Sequence, residues 1–167
     1  LIASPGTINL ANPDEAHNGH AAADAGWTYR MFYFDADLLQ RAASEIAGRP
    51  KDIPFFQAGV IRDDELAAII HRLHIRLEGN EASLLEQESR LLWMLAQLVL
   101  RHGDAPPALS SVGREHQSVS RVKAYIEAHY DENLSVEQLA GVACLSPFHF
   151  IRVFHKETGL PPHAYLT

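Results

Sequence analysis

The sequence predicts a mainly α-helical chain with a small β portion near its N-terminus. Three observations support this fold class. Two short helical patterns with their own start signals lie near the C-terminus, two long amphipathic patterns lie mid-chain, and the first 34 residues are β-prone. With 167 residues and 47% hydrophobic content, the chain is long enough to bury a sizeable core.

The predicted β portion rests on an aromatic run and on turn residues. Residues 28–34 are rich in aromatic side chains and partly alternate, which favours a strand. Asn12-Pro13-Asp14 and Asn18-Gly19 have turn chemistry. Two or three strands are not stable alone, so we expect other parts of the chain to cover them.

Three helices are predicted after this portion. The first covers residues 35–47, and the next two cover 63–78 and 81–102, with Gly79-Asn80 between them. This loop is short enough to force an antiparallel hairpin. The helix at 81–102 is apolar over more than half its circumference, so it should contact something on two sides. Self-association and burial within the chain both satisfy this expectation.

Linker composition follows the hairpin, with Gly, Pro and Ser concentrated over residues 103–113. We therefore predict a first domain at 1–104, a linker at 105–116 and a second domain at 117–167. Ser118 is expected to cap the first helix of the second domain.

The second domain contains the sequence outline of a helix-turn-helix. Ser135 and Gln138 have the spacing of a capping box at the start of one helix. Ser146 followed by Pro147 starts the next helix, and Gly159 ends it. A short turn between two such helices is typical of this motif.

The second of these helices, predicted over residues 146–158, has two distinct faces. Its inner face should pack on the preceding helix and contains Phe150, Val153 and Phe154. The opposite face, here called the recognition stripe, contains Phe148, Ile151, Arg152 and His155. In a DNA major groove, arginine binds guanine O6 and N7, and apolar side chains contact thymine methyl groups. Alternatively, Phe148 and Ile151 pack under another helix, and Arg152 is merely solvated.

Several classes of protein are excluded or disfavoured. No run of 18 apolar residues spans a membrane, and no secretory signal is present. Cys144, the single cysteine, excludes an internal disulfide framework and fits a reducing, cytoplasmic setting. The sequence has no phosphate-binding glycine loop and no Ser/His/Asp or Cys/His spacing typical of catalysis. Because it begins with Leu1, we expect a fragment of a longer protein.

The net charge of −7 argues against a generic nucleic-acid binder. The charge is unevenly distributed. Residues 1–104 have nine Lys or Arg against fifteen Asp or Glu, a net charge of −6. Residues 105–167 have five against six, a net charge of −1. A nearly neutral second domain is unusual for a DNA reader, because phosphate contacts supply much of the affinity.

The second domain resembles the first helix-turn-helix of AraC/XylS-type transcription regulators from about Ser118 to the chain end. The resemblance is carried by residues 134–140, Leu145-Ser146-Pro147, Phe154, Lys156-Glu157-Thr158-Gly159 and Tyr165. It implies base contacts from Phe148, Ile151 and Arg152, and phosphate contacts from Ser146, His149, His155 and Lys156. Ile151 departs from the polar residue common at its position, and Cys144 replaces a frequent glycine. The family's DNA-binding domain has a second helix-turn-helix, which is not in this sequence.

The first domain is similar to the last part of that family's cupin-like effector barrel. Residues 12–17 and 27–35 carry this similarity. It implies a small-molecule effector near His17, His20, Trp27 and Tyr29, although Trp27 and Tyr29 also suit an ordinary sheet core. It also implies homodimerisation through the helices at 63–78 and 81–102.

The sequence therefore predicts a cytoplasmic transcription regulator that binds double-stranded DNA and responds to an effector. It is not expected to be an enzyme or to need a cofactor or metal. Two alternatives stay open: a protein-interaction module with a helix-turn-helix shape, and a small metal-dependent cupin enzyme. The enzyme would use His17 and His20, but two histidines three residues apart are too few for a closed metal site.

Overall fold

The computed structural model describes residues 4, 6–13, 15, 21, 24, 26, 28–79, 81–104 and 115–166. Within these ranges the mainly helical fold class is confirmed. The elements in order are β1 (Thr7–Asn9), α1 (Ala36–Ala47), β2 (Val60–Arg62), α2 (Asp64–Glu78), α3 (Leu84–His102), α4 (Glu115–Ala128), α5 (Val136–Ala143), α6 (Pro147–Thr158) and α7 (Pro162–Tyr165). No helix in the described ranges is both long enough and apolar enough to cross a bilayer.

The β portion is smaller than predicted: β1 lies within the predicted N-terminal segment, whereas β2 comes from residues 60–62. β1 and β2 form a two-stranded antiparallel sheet in which Ile8 lies opposite Ile61. The strand predicted at residues 28–34 is not formed, so that prediction is wrong. Instead, Phe32 stacks on Phe34 and on His74 of α2, with ring centroids 5.4 and 3.8 Å apart. A strand needs a hydrogen-bonded neighbour, whereas this run is held to α2 by side-chain contacts, which include the Phe32 stack on His74 and an ion pair of Arg30 with Glu78.

The predicted helical hairpin consists of α2 and α3. Arg76, near the end of α2, binds Glu86 near the start of α3 at 2.8 Å. At the opposite end, Arg101 of α3 binds Asp63, the N-cap residue of α2, at 3.0 Å. Two ion pairs that join opposite ends show that the helices are antiparallel.

Two helix starts differ from their predictions. The side chain of Ser83 accepts a hydrogen bond from the Glu86 backbone N–H, so α3 begins at Leu84 and not at Glu81. Conversely, α4 begins at Glu115, so Ser118 lies inside the helix and is not its cap.

α3 lies at the centre of the molecule. Two helices of the N-terminal part (residues 1–104), α1 and α2, pack on α3. Three helices of the C-terminal part (residues 115–166) also pack on it, namely α5, α6 and α7. This arrangement accounts for the wide apolar surface of α3, whose buried residues are Leu85, Ser89, Leu92, Met94, Leu95, Ala96, Leu98 and Val99. The second side of α3 is thus covered within the chain, which was one of the two expectations.

Candidate nucleic-acid interface

The helix-turn-helix begins with a complete capping box on α5. The Ser135 side chain accepts a hydrogen bond from the Gln138 backbone N–H at 3.2 Å. The Gln138 side chain accepts one from the Ser135 backbone N–H at 2.8 Å. This reciprocal pair satisfies two backbone donors that the helix leaves open, and it fixes the start of α5.

The turn between α5 and α6 depends on one residue with left-handed backbone geometry. Cys144 has φ +56° and ψ +40° and is exposed. Its backbone N–H donates to the carbonyls of Ala140 and Gly141, closing the end of α5. Glycine adopts this conformation without strain, whereas any side chain there is disfavoured.

The inner face of α6 packs as predicted. Phe150, Val153 and Phe154 are buried together with Leu139 and Ala143 of α5. Gly159 ends α6 with φ +72°, as a C-terminal glycine does. This packing sets the orientation of α6 and thus the direction in which its opposite face points.

The recognition stripe is not exposed, contrary to the sequence-based expectation of an open ridge. Phe148 and Ile151 each have 0% exposure, and Arg152 is half-buried. α1 and α3 pack on α6, so the N-terminal part covers this face. The physical reason is that two large apolar side chains are more stable against the apolar side of α3 than in water.

Arg152 also lies in the seam, which is the contact surface between α6 and the helices α1 and α3. Its guanidinium donates to the carbonyl of Ile46 on α1 at 3.4 Å. Burial lowers the pKa of Arg152, although the Glu115 carboxylate partly opposes this effect. The alternative stated from the sequence is therefore confirmed for Phe148 and Ile151, which pack under other helices, and wrong for Arg152, which is not merely solvated.

Two carboxylates of the N-terminal part bind the first backbone donors of the motif. Glu45 of α1 accepts from the Phe148 N–H at 2.9 Å, and Glu88 of α3 accepts from the Val136 N–H at 2.7 Å. Pro147 has no N–H, so Phe148 provides the first backbone donor of α6. Ser146 makes no side-chain capping bond, and Glu45 takes that role.

The residues expected to contact phosphates are distributed around this seam. His155 stacks on Trp93 of α3 with ring centroids 4.2 Å apart, and burial lowers the pKa of His155. His149 binds Glu115 of α4, and Lys156 is exposed. These three side chains and residues of α3, including Trp93, line a cleft of about 190 Å³.

The residues predicted to bind an effector are mostly outside the described part of the chain. His17, His20 and Trp27 lie there, and so do residues 105–114 of the predicted linker. Tyr29 is described and is 59% exposed. Among the described residues, no group of three or more His, Cys, Asp or Glu is placed to hold a metal ion.

Sequence analysis missed Glu45, Glu88 and Trp93 as partners of the motif. Two signals pointed to this contact without identifying its residues. α3 was too apolar for one packing face, and Ile151 was apolar where a base reader is often polar. Neither pattern states which carboxylates approach the helix starts, because that depends on how the two parts dock.

Comparison with known proteins matches both parts of the chain to one family. Residues 1–95 match the AraC-like ligand binding domain, and residues 126–167 match the bacterial regulatory helix-turn-helix proteins of the AraC family. No solved structure matches.

Two proteins of Bacillus subtilis strain 168 are similar. The uncharacterized HTH-type transcriptional regulator YbfI is 31% identical over 165 residues, covering 99% of this chain and 59% of that protein. The uncharacterized HTH-type transcriptional regulator YbfP is 36% identical over 50 residues, covering 30% of this chain and 17% of that protein.

The chain thus spans about three fifths of YbfI. The helix-turn-helix match at residues 126–167 contains the capped α5, the turn and α6. The family is one of transcription regulators and not of enzymes. This chain belongs to the AraC family of transcriptional regulators, with an AraC-type ligand-binding domain and an AraC-type helix-turn-helix.

Proposed function

We propose that this chain regulates transcription by reading a DNA major groove with α6 in response to a small molecule. The observation that carries the proposal is the geometry of α5 and α6. A capping box fixes α5, a three-residue turn follows, and the inner face of α6 is fully packed. The opposite face of α6, which α1 and α3 cover in this arrangement, is the face that would enter a groove, as in other helix-turn-helix proteins.

Each proposed DNA contact follows from its chemistry. Arg152 binds guanine O6 and N7, and Phe148 and Ile151 contact thymine methyl groups. Phosphates of the DNA backbone beside α6 are bound by four further side chains, those of Ser146, His149, His155 and Lys156. Phosphate contacts of this kind position the helix without reading sequence.

The proposed effector site is near His17, His20, Trp27 and Tyr29. The match of residues 1–95 to an AraC-like ligand binding domain supports a ligand in this part of the chain. A ligand that favours one arrangement of the two parts would change the DNA affinity. By thermodynamic linkage, DNA would change the affinity for the ligand by the same factor. The regulator would act in the cytoplasm, where the operator lies.

We also propose homodimerisation through the hairpin, over residues 63–78 and 81–102. Because α6 covers one side of α3, the surface left for a partner lies on α2 and the hairpin end. Ile75 and Leu84 are the large apolar side chains of the described hairpin that remain exposed. Sedimentation of Ile75→Lys beside Arg72→Glu, an exposed neighbour, tests this. We expect only Ile75→Lys to shift the protein to monomer, and an unchanged mass would contradict it.

The test of sequence reading uses duplexes selected from a randomised library by the full chain. Arg152→Ala should weaken binding to the selected duplex by about tenfold or more, because one bidentate guanine contact contributes about 1–3 kcal/mol. Binding to an unselected duplex of equal length should change little. Arg72→Ala removes an equal charge from an exposed site on α2 and should leave both affinities unchanged.

The proposal fails if the intact chain enriches no sequence, or if Arg152→Ala keeps the full preference for the selected duplex. A uniform loss on both duplexes would also contradict the base-reading role, because it would indicate a phosphate contact.

A further inference from the structure

The recognition stripe cannot contact α1 and α3 and a DNA groove at the same time. Phe148 and Ile151 are fully buried, and Arg152 is bound to the backbone of α1. A major groove must approach α6 from this same side, since the inner face is packed on α5. The N-terminal part and DNA therefore compete for one surface.

The two carboxylates in the seam occupy positions where DNA phosphates would bind. Glu45 and Glu88 accept hydrogen bonds from the backbone N–H groups of Phe148 and Val136. N–H groups at helix starts are common ligands of phosphate, because they are unsatisfied donors at the positive end of the helix dipole. An anionic oxygen from the same chain already satisfies each of them here.

The net charges of the two parts are consistent with carboxylates in the place of DNA phosphates. The part that provides Glu45 and Glu88 has a net charge of −6, and the part that contains the motif has a net charge of −1. An acidic surface with apolar side chains offers α6 negative charge, as DNA phosphates do, and apolar contacts, as thymine methyl groups do. Ile151, apolar where readers are often polar, also fits a residue that must pack in a protein seam.

We infer that this arrangement is an autoinhibited state in which α1 and α3 cover the recognition stripe and Glu45 and Glu88 take the place of DNA phosphates. The inference rests on the proposed function, since it concerns regulation of the same site. DNA binding then requires the two parts to separate. The measured dissociation constant equals the intrinsic one multiplied by one plus the closed-to-open ratio, so weakening the seam tightens DNA binding.

The test compares two double variants of the full chain that have equal net charge. Glu45→Gln/Glu88→Gln removes the two carboxylate charges from the seam. Asp37→Asn/Asp52→Asn removes two charges from exposed positions outside the hairpin and controls for the general effect of charge on DNA affinity. Binding is measured with the selected duplex and an unselected one, and circular dichroism verifies that both variants stay folded.

We expect the seam variant to bind both duplexes about tenfold more tightly than the control, because each lost charge-assisted hydrogen bond favours the open state. Adding Arg152→Ala to the seam variant should remove its preference for the selected duplex. Its affinity for the unselected duplex should stay higher than that of the control variant. Equal affinities of seam and control variants, with selective binding by the parent chain, would overturn the autoinhibited state alone. Absence of selective binding in every variant would overturn the proposed function and, with it, this inference.

Discussion

Trp93 of α3 stacks face to face on His155 of α6, with ring centroids 4.2 Å apart and ring planes 16° from parallel. The pair joins the N-terminal part to the recognition stripe. The sequence contains two tryptophans, so Trp27→Phe leaves Trp93 as the single tryptophan, and excitation at the red edge of the tryptophan band selects it over tyrosine. Its emission wavelength reports whether this surface is buried or in water.

The first prediction concerns pH. Burial lowers the pKa of His155 below its ordinary value of 6.5, and it lowers the pKa of His163 on α7 to about 4. Both are neutral when α6 and α7 pack on α3, and the open state binds protons more readily below pH 6.5. The closed state should therefore be fully stable above about pH 6.5 and should lose stability as the pH falls towards 4.

Trp93 emission in the Trp27→Phe chain measures this directly. We expect a red shift between pH 7 and pH 5 while far-ultraviolet circular dichroism stays constant. In a chain that also has His155→Gln and His163→Gln, the shift should be much smaller. The ion pairs of His149 with Glu115 and of His116 with Glu157 lie within the C-terminal part, so we expect opening to leave them intact. An identical shift with and without the two histidines would contradict the prediction.

The second prediction compares the two N-cap serines of the motif. Ser135→Ala breaks a capping box and should lower the free energy of unfolding by about 1 kcal/mol. Ser146→Ala should have an effect close to zero, because Ser146 makes no side-chain capping bond and Glu45 binds the nearby donor. Urea unfolding followed by circular dichroism gives both values. Equal losses would show that the seam does not replace the cap of α6.

The third prediction concerns the left-handed turn residue. Cys144→Gly relieves a side chain from φ +56°, which costs about 1–2 kcal/mol for residues other than glycine. Glycine also gains freedom in the unfolded chain, which reduces the benefit by about 0.4–1 kcal/mol. We therefore expect a net gain in stability of about 0.5–1 kcal/mol. Cys144→Ala removes the thiol but keeps the strain, and a gain of equal size in that control would refute this explanation.

The fourth prediction uses Ile151. Ile151→Gln places an amide in a fully buried apolar seam, where an unpaired amide costs about 1–3 kcal/mol in proteins. The closed state should weaken, and Trp93 emission should shift to the red without DNA. Lys156→Gln changes an exposed residue of the same helix and should leave the emission unchanged. If the Ile151→Gln spectrum equals the parent spectrum, α3 does not hold this face in solution.

Local chemistry made the helix-turn-helix predictable from sequence. The Ser135–Gln138 box, Pro147 after Ser146 and the Gly159 end all depend on contacts within a few residues, and each is present in the structure. The left-handed backbone of Cys144 was not predicted, although the family resemblance showed a side chain at a position that glycine often takes.

The covered recognition stripe was not predictable in the same way. Phe148 and Ile151 have the correct spacing for a groove-facing stripe and for a buried one, and periodicity alone does not separate these outcomes. The partners Glu45 and Glu88 are 103 and 48 residues away from the donors that they bind. The strand predicted at residues 28–34 failed for a similar reason, because β-propensity cannot supply the neighbouring strand that hydrogen bonding requires.

Titration of the Trp27→Phe chain with the selected duplex, followed by Trp93 emission, tests most directly whether DNA and the N-terminal part compete for α6. We predict a red shift that follows DNA occupancy and saturates with it, because each bound duplex displaces α3 from His155. Saturating DNA binding, measured in parallel by anisotropy, with no change in Trp93 emission would contradict the account.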